Sequence, residues 1–323
     1  MKVFEYHNYG VPEVLEMTEV LIPKPTKNEV LVKMKASTVT STEATFRKGD
    51  PYFSRLFTGL SKPKITRLGE TLAGIVEEVG PDHTELKKGD AVFGIIGPGF
   101  GANGEYALIG DKGVLCRKPD QISFEEAAAS VDGFLTALPF LRDVGFIQKG
   151  QSVLINGASG SVGSAAVQLA KHFGATVTGV CSGRNRAMVK GLGADFVIDY
   201  TTNDFTKAGE TYDIVFDTVG SLSFAKAKSS LSEYGIFLEA GMGVGVIGSA
   251  MRTALIGKKK AKIAATGLRD PKEKNKDLLF LKQLLEQDRF HPYIDRTYHF
   301  EDLPSAHGYV DTGRKRGNVV LKY

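Results

Sequence analysis

The sequence predicts an α/β protein in which a β-rich domain is interrupted by a doubly wound parallel sheet with helices on both faces. Three features carry that expectation. Strand-like segments punctuated by glycine and proline fill the first third of the chain, strand–helix alternation runs from Ser123 onward, and strand-like segments return near the C-terminus.

In the first region, Val30–Ala36 follows a turn rich in proline and asparagine and mixes β-branched with polar positions, as strands do. Leu72–Gly80 reads as a strand carrying a glycine where a neighbour approaches closely. Lys88-Gly89-Asp90 then turns the chain into Ala91–Gly94. Punctuation at this density is the pattern of a small barrel or sandwich.

The texture changes at Ser123. Ser123-Phe124-Glu125-Glu126 has the form of a capping box ahead of an Ala-rich helix. Ser152–Asn156 reads as a buried strand, Ser164–Phe173 as a helix with Ala165, Ala166, Leu169, Ala170 and Phe173 along one face. Thr176–Val180 is the next strand and Arg186–Leu192 the next helix. Phe196–Ile198, Ile214–Phe216, Ile236–Leu238 and Lys262–Thr266 continue the strand series. Alternation of this kind specifies a parallel sheet covered on both faces. Pro271–Asp288 is helix-prone, and Ile294–Phe300 and Val319–Lys322 read as strands around a helix capped near Glu301.

Composition narrows the function classes. The 323 residues are 42% apolar and 24% charged, ordinary for a globular protein with room for two cores. A net charge of +4 is too small and too dispersed to imply nucleic acid. The run Lys258-Lys259-Lys260-Ala261-Lys262 reads as a solvated loop. Two cysteines, Cys116 and Cys181, cannot build a disulfide framework, which fits a reducing compartment. No stretch has the length and apolarity of a signal peptide or a spanning helix, so a cytoplasmic location is expected.

The chemistry begins after the strand 152–156, which runs into Gly157-Ala158-Ser159-Gly160-Ser161-Val162-Gly163 and then a helix. Glycines in this spacing let the backbone turn tightly, approach a pyrophosphate, and pack helix on strand. The helix N-terminus offers amides and partial positive charge to phosphate, and Ser159 and Ser161 add hydroxyl donors. The end of the following strand selects the cofactor. NAD-binding folds carry an acid there for the ribose hydroxyls, whereas this chain reads Cys181-Ser182-Gly183-Arg184-Asn185-Arg186. Ser182 and Arg184 can bond a 2′-phosphate, so NADP (NADPH) is the expected cofactor. Arg186 is either a further contact or a helix-surface charge.

Several segments in order carry a resemblance: Leu68-Gly69-Glu70-Thr71-Leu72-Ala73-Gly74, Lys88-Gly89-Asp90-Ala91-Val92-Phe93-Gly94, the turn 157–163, Leu192-Gly193-Ala194-Asp195 and Arg316-Gly317-Asn318-Val319-Val320-Leu321. Together they resemble the medium-chain dehydrogenase/reductase superfamily, in its zinc-free NADPH:quinone oxidoreductase (zeta-crystallin-like) branch. That resemblance implies a GroES-like β-barrel catalytic domain over 1–121 and 269–323, interrupted by a Rossmann domain over 122–268, with the cofactor in the cleft and often a homodimer. It implies hydride transfer from NADPH to a quinone, an enal or an enone. Two alternatives stay open: an enoyl-thioester reductase, and a non-catalytic NADPH-binding or RNA-associated protein.

The resemblance also suggests site residues. Tyr52 aligns with a cleft tyrosine and is a candidate hydrogen-bond donor to the substrate carbonyl, or else a loop aromatic. Thr40 stands where the family has asparagine and Glu43 where it has aspartate. Thr40 either bonds substrate or nicotinamide ribose or has a local structural role. Thr136, in Gly133-Phe134-Leu135-Thr136-Ala137, matches an element near the nicotinamide, Tyr200 an aromatic at the adenosine end, and Asn318 a C-terminal cofactor contact. The stretch Gly241–Gly257 lies near the nicotinamide half and the dimer interface in that family. No metal is expected. Four clustered cysteines are impossible here, Ala36–Glu43 contains no cysteine, and Gly69-Glu70 stands where a zinc-binding Gly-His-Glu would fall.

Overall fold

A computed structural model describes residues 1–241 and 244–323 of the chain. It divides into two compact units, Met1–Asp132 with Gly267–Tyr323, and Gly133–Thr266.

The first unit opens with a two-stranded antiparallel ribbon, β1 (Lys2–Glu5) and β2 (Glu16–Glu19). Its main sheet is built from β3 (Val30–Val39), β4 (Thr71–Val79), β5 (Ala91–Ile95), β6 (Tyr106–Ile109) and β7 (Val114–Arg117). Both β4 and β6 pair antiparallel with β3, and β5 bridges β4 and β7. Gly74 is required by this crowding, because a Cβ there would lie 2.3 Å from the Lys33 carbonyl oxygen. Between β3 and β4 the chain forms α1 (Ser41–Lys48) and the short α2 (Arg55–Thr58). Then α3 (Phe124–Pro139) begins with the expected box: the Ser123 amide donates to Glu126 Oε2 at 2.8 Å and the Glu126 amide to Ser123 Oγ at 3.1 Å.

In the second unit the strands are β8 (Ser152–Asn156), β9 (Thr176–Cys181), β10 (Phe196–Asp199), β11 (Tyr212–Asp217), β12 (Leu231–Glu239) and β13 (Lys260–Lys262). They pair in the order β10-β9-β8-β11-β12-β13, and every pairing is parallel. This is the doubly wound order, reversing direction beside β8. Val153, Leu154 and Ile155 of that central strand are fully buried, as a strand covered on both faces demands. The helices are α4 (Ser161–His172), α5 (Arg186–Gly191), α6 (Phe224–Ala227) and α7 (Val244–Leu255).

The sixth strand corrects the sequence reading. It occupies Lys260–Lys262, inside the lysine run, not Lys262–Thr266. Ala261 is buried in the sheet, while the ammonium groups reach backbone carbonyls: Lys259 Nζ to Leu231 at 2.7 Å, Lys262 Nζ to Val144 at 2.9 Å, and Lys260 Nζ to Thr253. Lysine stems lie along apolar surface while their heads find acceptors, which lets a basic run form an edge strand. Met242 and Gly243, within the stretch Gly241–Gly257, lie outside the described residues.

The chain then returns to the first unit with α8 (Pro271–Glu286), β14 (Ile294–His299), α9 (Leu303–Asp311) and β15 (Asn318–Lys322). β15 pairs antiparallel with β3, so the sheet is completed by residues from both ends of the sequence.

Candidate functional site

The turn between β8 and α4 is shaped by its glycines. Gly157 has φ +80°, and a Cβ there would lie 2.4 Å from Val219 Cγ2. The Gly157 and Ala158 amides donate to the Val180 carbonyl at 3.1 and 3.0 Å, tying the turn to β9. A Cβ on Gly163 would fall 2.1 Å from the Gly157 carbonyl oxygen, so this glycine lets the first turn of α4 close on the loop. Gly160 is the N-cap of α4 and brings no side chain of its own to the helix end. The first turn of α4 carries the amides and partial positive charge of a helix N-terminus, the arrangement that receives phosphate. Ser161, Val162 and Gly163 already belong to the helix, which starts three residues earlier than its apolar face predicts.

Thr136 reaches the same region along α3. A Cβ on Gly133 would stand 2.6 Å from the Ser161 carbonyl oxygen, so the helix crosses the first turn of α4 in near contact there. Thr136, half-buried, lies one turn further on.

The adjacent strands β9 and β10 end at the same sheet edge, with Cys181 and Asp199 in register. Beyond them lie Ser182, half-buried, and the exposed Arg184 and Tyr200. Among the described residues Arg184 has no ion-pair partner. Asn185, nearly buried, donates from Nδ2 to Ser159 Oγ at 3.0 Å and so joins this loop to the glycine turn. The Ser159 hydroxyl proton stays available to a ligand. The structure thus brings residues 157–163, Thr136, Ser182, Arg184 and Tyr200 to one edge of the second unit.

One feature of this edge escapes a linear reading. Residues 181–186 hold no acid, yet β10 delivers Asp199 against Gly183: a Cβ on Gly183 would lie 2.4 Å from Asp199 Oδ2. The Asp199 carboxylate accepts from the Thr201 hydroxyl at 2.7 Å and amide at 2.9 Å, and the nearby Gly183 amide also favours its charged form. The Thr201 bonds, first among these, hold it below the usual carboxylate range.

The remaining candidates lie in the first unit. Thr40 is buried and caps α1, its Oγ accepting from the Glu43 amide at 3.1 Å. Glu43 Oε1 has no hydrogen-bond partner among the described residues, so only the threonine half of a capping box is formed. The Thr40 hydroxyl retains a proton to donate. Tyr52 is 65% exposed, its hydroxyl makes no hydrogen bond among the described residues, and the Arg55 guanidinium lies 4.8 Å over its ring. Asn318 begins β15, where its amide nitrogen and Nδ2 both donate to the Tyr293 carbonyl, at 2.8 and 3.1 Å.

Glu43 is fully buried, with Asn103 Nδ2 3.4 Å from Oε2. Desolvation, reinforced by Glu70 and Asp132, pushes its carboxyl up to about 8, and Glu70 is raised to about 7 by desolvation and Asp132. The native state holds the Glu43 proton where the unfolded chain has lost it. Stability therefore falls as pH rises from the ordinary carboxylate range to about 8. Glu43→Gln is expected to flatten that decline by about 1.4 kcal/mol per pH unit at most, seen as a smaller loss of Tm between pH 5 and 7.5. An unchanged slope would remove Glu43 as its source.

Among the described residues no group of three or more His, Cys, Asp and Glu side chains converges as ligands. Cys116 and Cys181 are buried, and burial pushes their thiols up to about 12 and about 11.

Fold and turn together define a dinucleotide-binding α/β protein. Family models for an alcohol dehydrogenase GroES-like domain and a zinc-binding dehydrogenase match residues 26–120 and 192–321. The chain is 32% identical to 2-methylene-furan-3-one reductase of Solanum lycopersicum, across 99% of this chain and 79% of that protein. It is 30% identical, with the same coverage, to the chloroplastic NADPH-dependent alkenal/one oxidoreductase of Arabidopsis thaliana. Escherichia coli quinone oxidoreductase complexed with NADPH superposes with a TM-score of 0.86 at 26% identity, covering 100% of both chains. The chain belongs to the medium-chain dehydrogenase/reductase superfamily, in its quinone oxidoreductase branch. No helix among the described residues is long and apolar enough to cross a membrane.

Proposed function

We propose that this protein is an NADPH-dependent reductase that delivers hydride to a quinone or an α,β-unsaturated carbonyl compound without a metal. The observation that carries the reading is the exposed Arg184, without an ion-pair partner among the described residues, beyond the end of β9 on the same sheet edge as the start of α4. Relatives named as NADPH-dependent alkenal/one oxidoreductase and 2-methylene-furan-3-one reductase, and a structural neighbour holding NADPH, support it.

The close approaches at Gly157 and Gly163 make a cradle that a Cβ would fill, which fits a dinucleotide pyrophosphate. The first turn of α4 and the Ser159 hydroxyl hold the pyrophosphate, Ser182, Arg184 and Tyr200 the 2′-phosphate, and Thr136 and Asn318 the nicotinamide half. When bound, NADPH supplies a hydride from nicotinamide C4. Tyr52 donates its free hydroxyl to the acceptor's carbonyl oxygen, where negative charge develops, and Thr40 adds a second donor while capping α1. Unit Gly133–Thr266 is the nucleotide-binding domain in this reading, and the first unit carries Tyr52 and Thr40.

The same reading includes a cytoplasmic homodimer that does not bind nucleic acid. The buried free thiols support the reducing compartment, and the exposed Ile247, Met251 and Leu255 on one face of α7 support self-association. Lys259, Lys260 and Lys262 of the lysine run engage backbone carbonyls, which supports the absence of nucleic acid as a partner of that run.

The test is a panel of quinones, enals, enones and enoyl thioesters assayed by NADPH oxidation. Turnover of quinones or short enones is expected. Preference for enoyl thioesters would reassign the substrate class, and tight NADPH binding with no turnover would make the protein a cofactor-binding module.

A further inference from the structure

We propose that Asp199 is a specificity-determining positioning residue: from the strand beside it, the carboxylate holds the Ser182–Arg186 loop in the shape that presents Arg184 to a 2′-phosphate. The inference rests on NADPH being the cofactor.

The loop is fixed at two points on either side of Arg184. On one side Gly183 packs against the Asp199 carboxylate so closely that a Cβ on it would lie 2.4 Å from Oδ2, and its amide favours the charged form of that carboxylate. On the other, Asn185 Nδ2 reaches Ser159 Oγ at 3.0 Å, while the Asn185 amide closes a turn onto the Ser182 carbonyl at 2.8 Å. Between these anchors Arg184 projects to solvent without an ion-pair partner among the described residues. Asp199 is itself immobilised, because Oδ1 accepts from both the Thr201 amide and hydroxyl. A guanidinium held in place loses less freedom on meeting a phosphate than one on a mobile loop.

Two views of this acid predict opposite signs. As a bare negative charge near a phosphate site, Asp199 repels NADPH, and neutralising it tightens binding. As an anchor, its oxygens already serve two Thr201 donors and pack against Gly183, and neutralising it loosens the loop. In Asp199→Asn one carbonyl oxygen can still serve Thr201, but the NH2 group that replaces Oδ2 sets a donor against Gly183 where an acceptor stood.

Affinities for NADPH and NADH are measured by nicotinamide fluorescence on wild type, Asp199→Asn, Gly183→Ala and the double variant, with Tm as the folding control. Asp199→Asn is expected to weaken NADPH by about tenfold and leave NADH within about twofold. Gly183→Ala should reproduce the loss by displacing the same contact, and the double variant should add little to either. If Asp199→Asn does not fold, Gly183→Ala and Thr201→Val carry the test, each with a selective NADPH loss. NADPH affinity unchanged or improved in the folded variants overturns the proposal. A wild type that binds the two cofactors equally overturns instead the cofactor assignment on which it rests.

Discussion

Arg184→Ala is expected to raise the Kd for NADPH by about 10- to 150-fold while leaving that for NADH within about twofold. The residue is exposed and has no ion-pair partner among the described residues, so its removal breaks no ion pair there. What is lost is a charge-assisted bond to a phosphate, about 1.5–3 kcal/mol. NADH lacks that phosphate and serves as the internal control. Arg186 begins α5 and sits close enough to Asp199 to lower its carboxyl pKa, so Arg186→Ala should cost NADPH less. Fluorescence titration with both cofactors at low and moderate salt decides this, since only the phosphate contact is strongly screened. Equal losses for the two cofactors would refute the role given to Arg184.

Gly163→Ala is expected to destabilise the second unit by about 1–3 kcal/mol and to weaken cofactor binding by at least about tenfold. The new methyl would meet the Gly157 carbonyl oxygen at 2.1 Å, a backbone atom with no rotamer to yield. Either α4 withdraws from the turn or the turn opens, and both move the helix amides from the pyrophosphate. Gly160→Ala is the matched control. Gly160 has φ −81°, and its nearest neighbour to a Cβ is the Gly157 carbonyl oxygen at 3.5 Å, so the substitution is accommodated with little loss of Tm. A Gly163→Ala protein that melts and binds like the Gly160→Ala protein would contradict this account of the turn.

The central sheet was legible in the sequence because strands buried on both faces must be continuous apolar runs, as Val153-Leu154-Ile155 and Ile214-Val215-Phe216 are. The edge strand Lys260–Lys262 was not, since its lysines satisfy their heads on distant carbonyls that no local pattern encodes. Helix α1 was also missed within a region read as β. Its signals were present in Thr40-x-x-Glu43 and in Gly49, which closes the helix in the left-handed conformation at φ +61°. For the candidate site, the glycine turn and Arg184 are contiguous motifs and could be read directly. Asp199 and the Asn185–Ser159 bond could not, because each is set by the register of adjacent strands.

The most direct measurement is a single turnover of chelator-treated protein with NADPH deuterated at nicotinamide C4 and an enone acceptor. The account predicts undiminished reduction, with one deuterium on the β-carbon of the product and a second hydrogen from solvent. Loss of turnover on chelation, restored by zinc, or a product without deuterium, would contradict it.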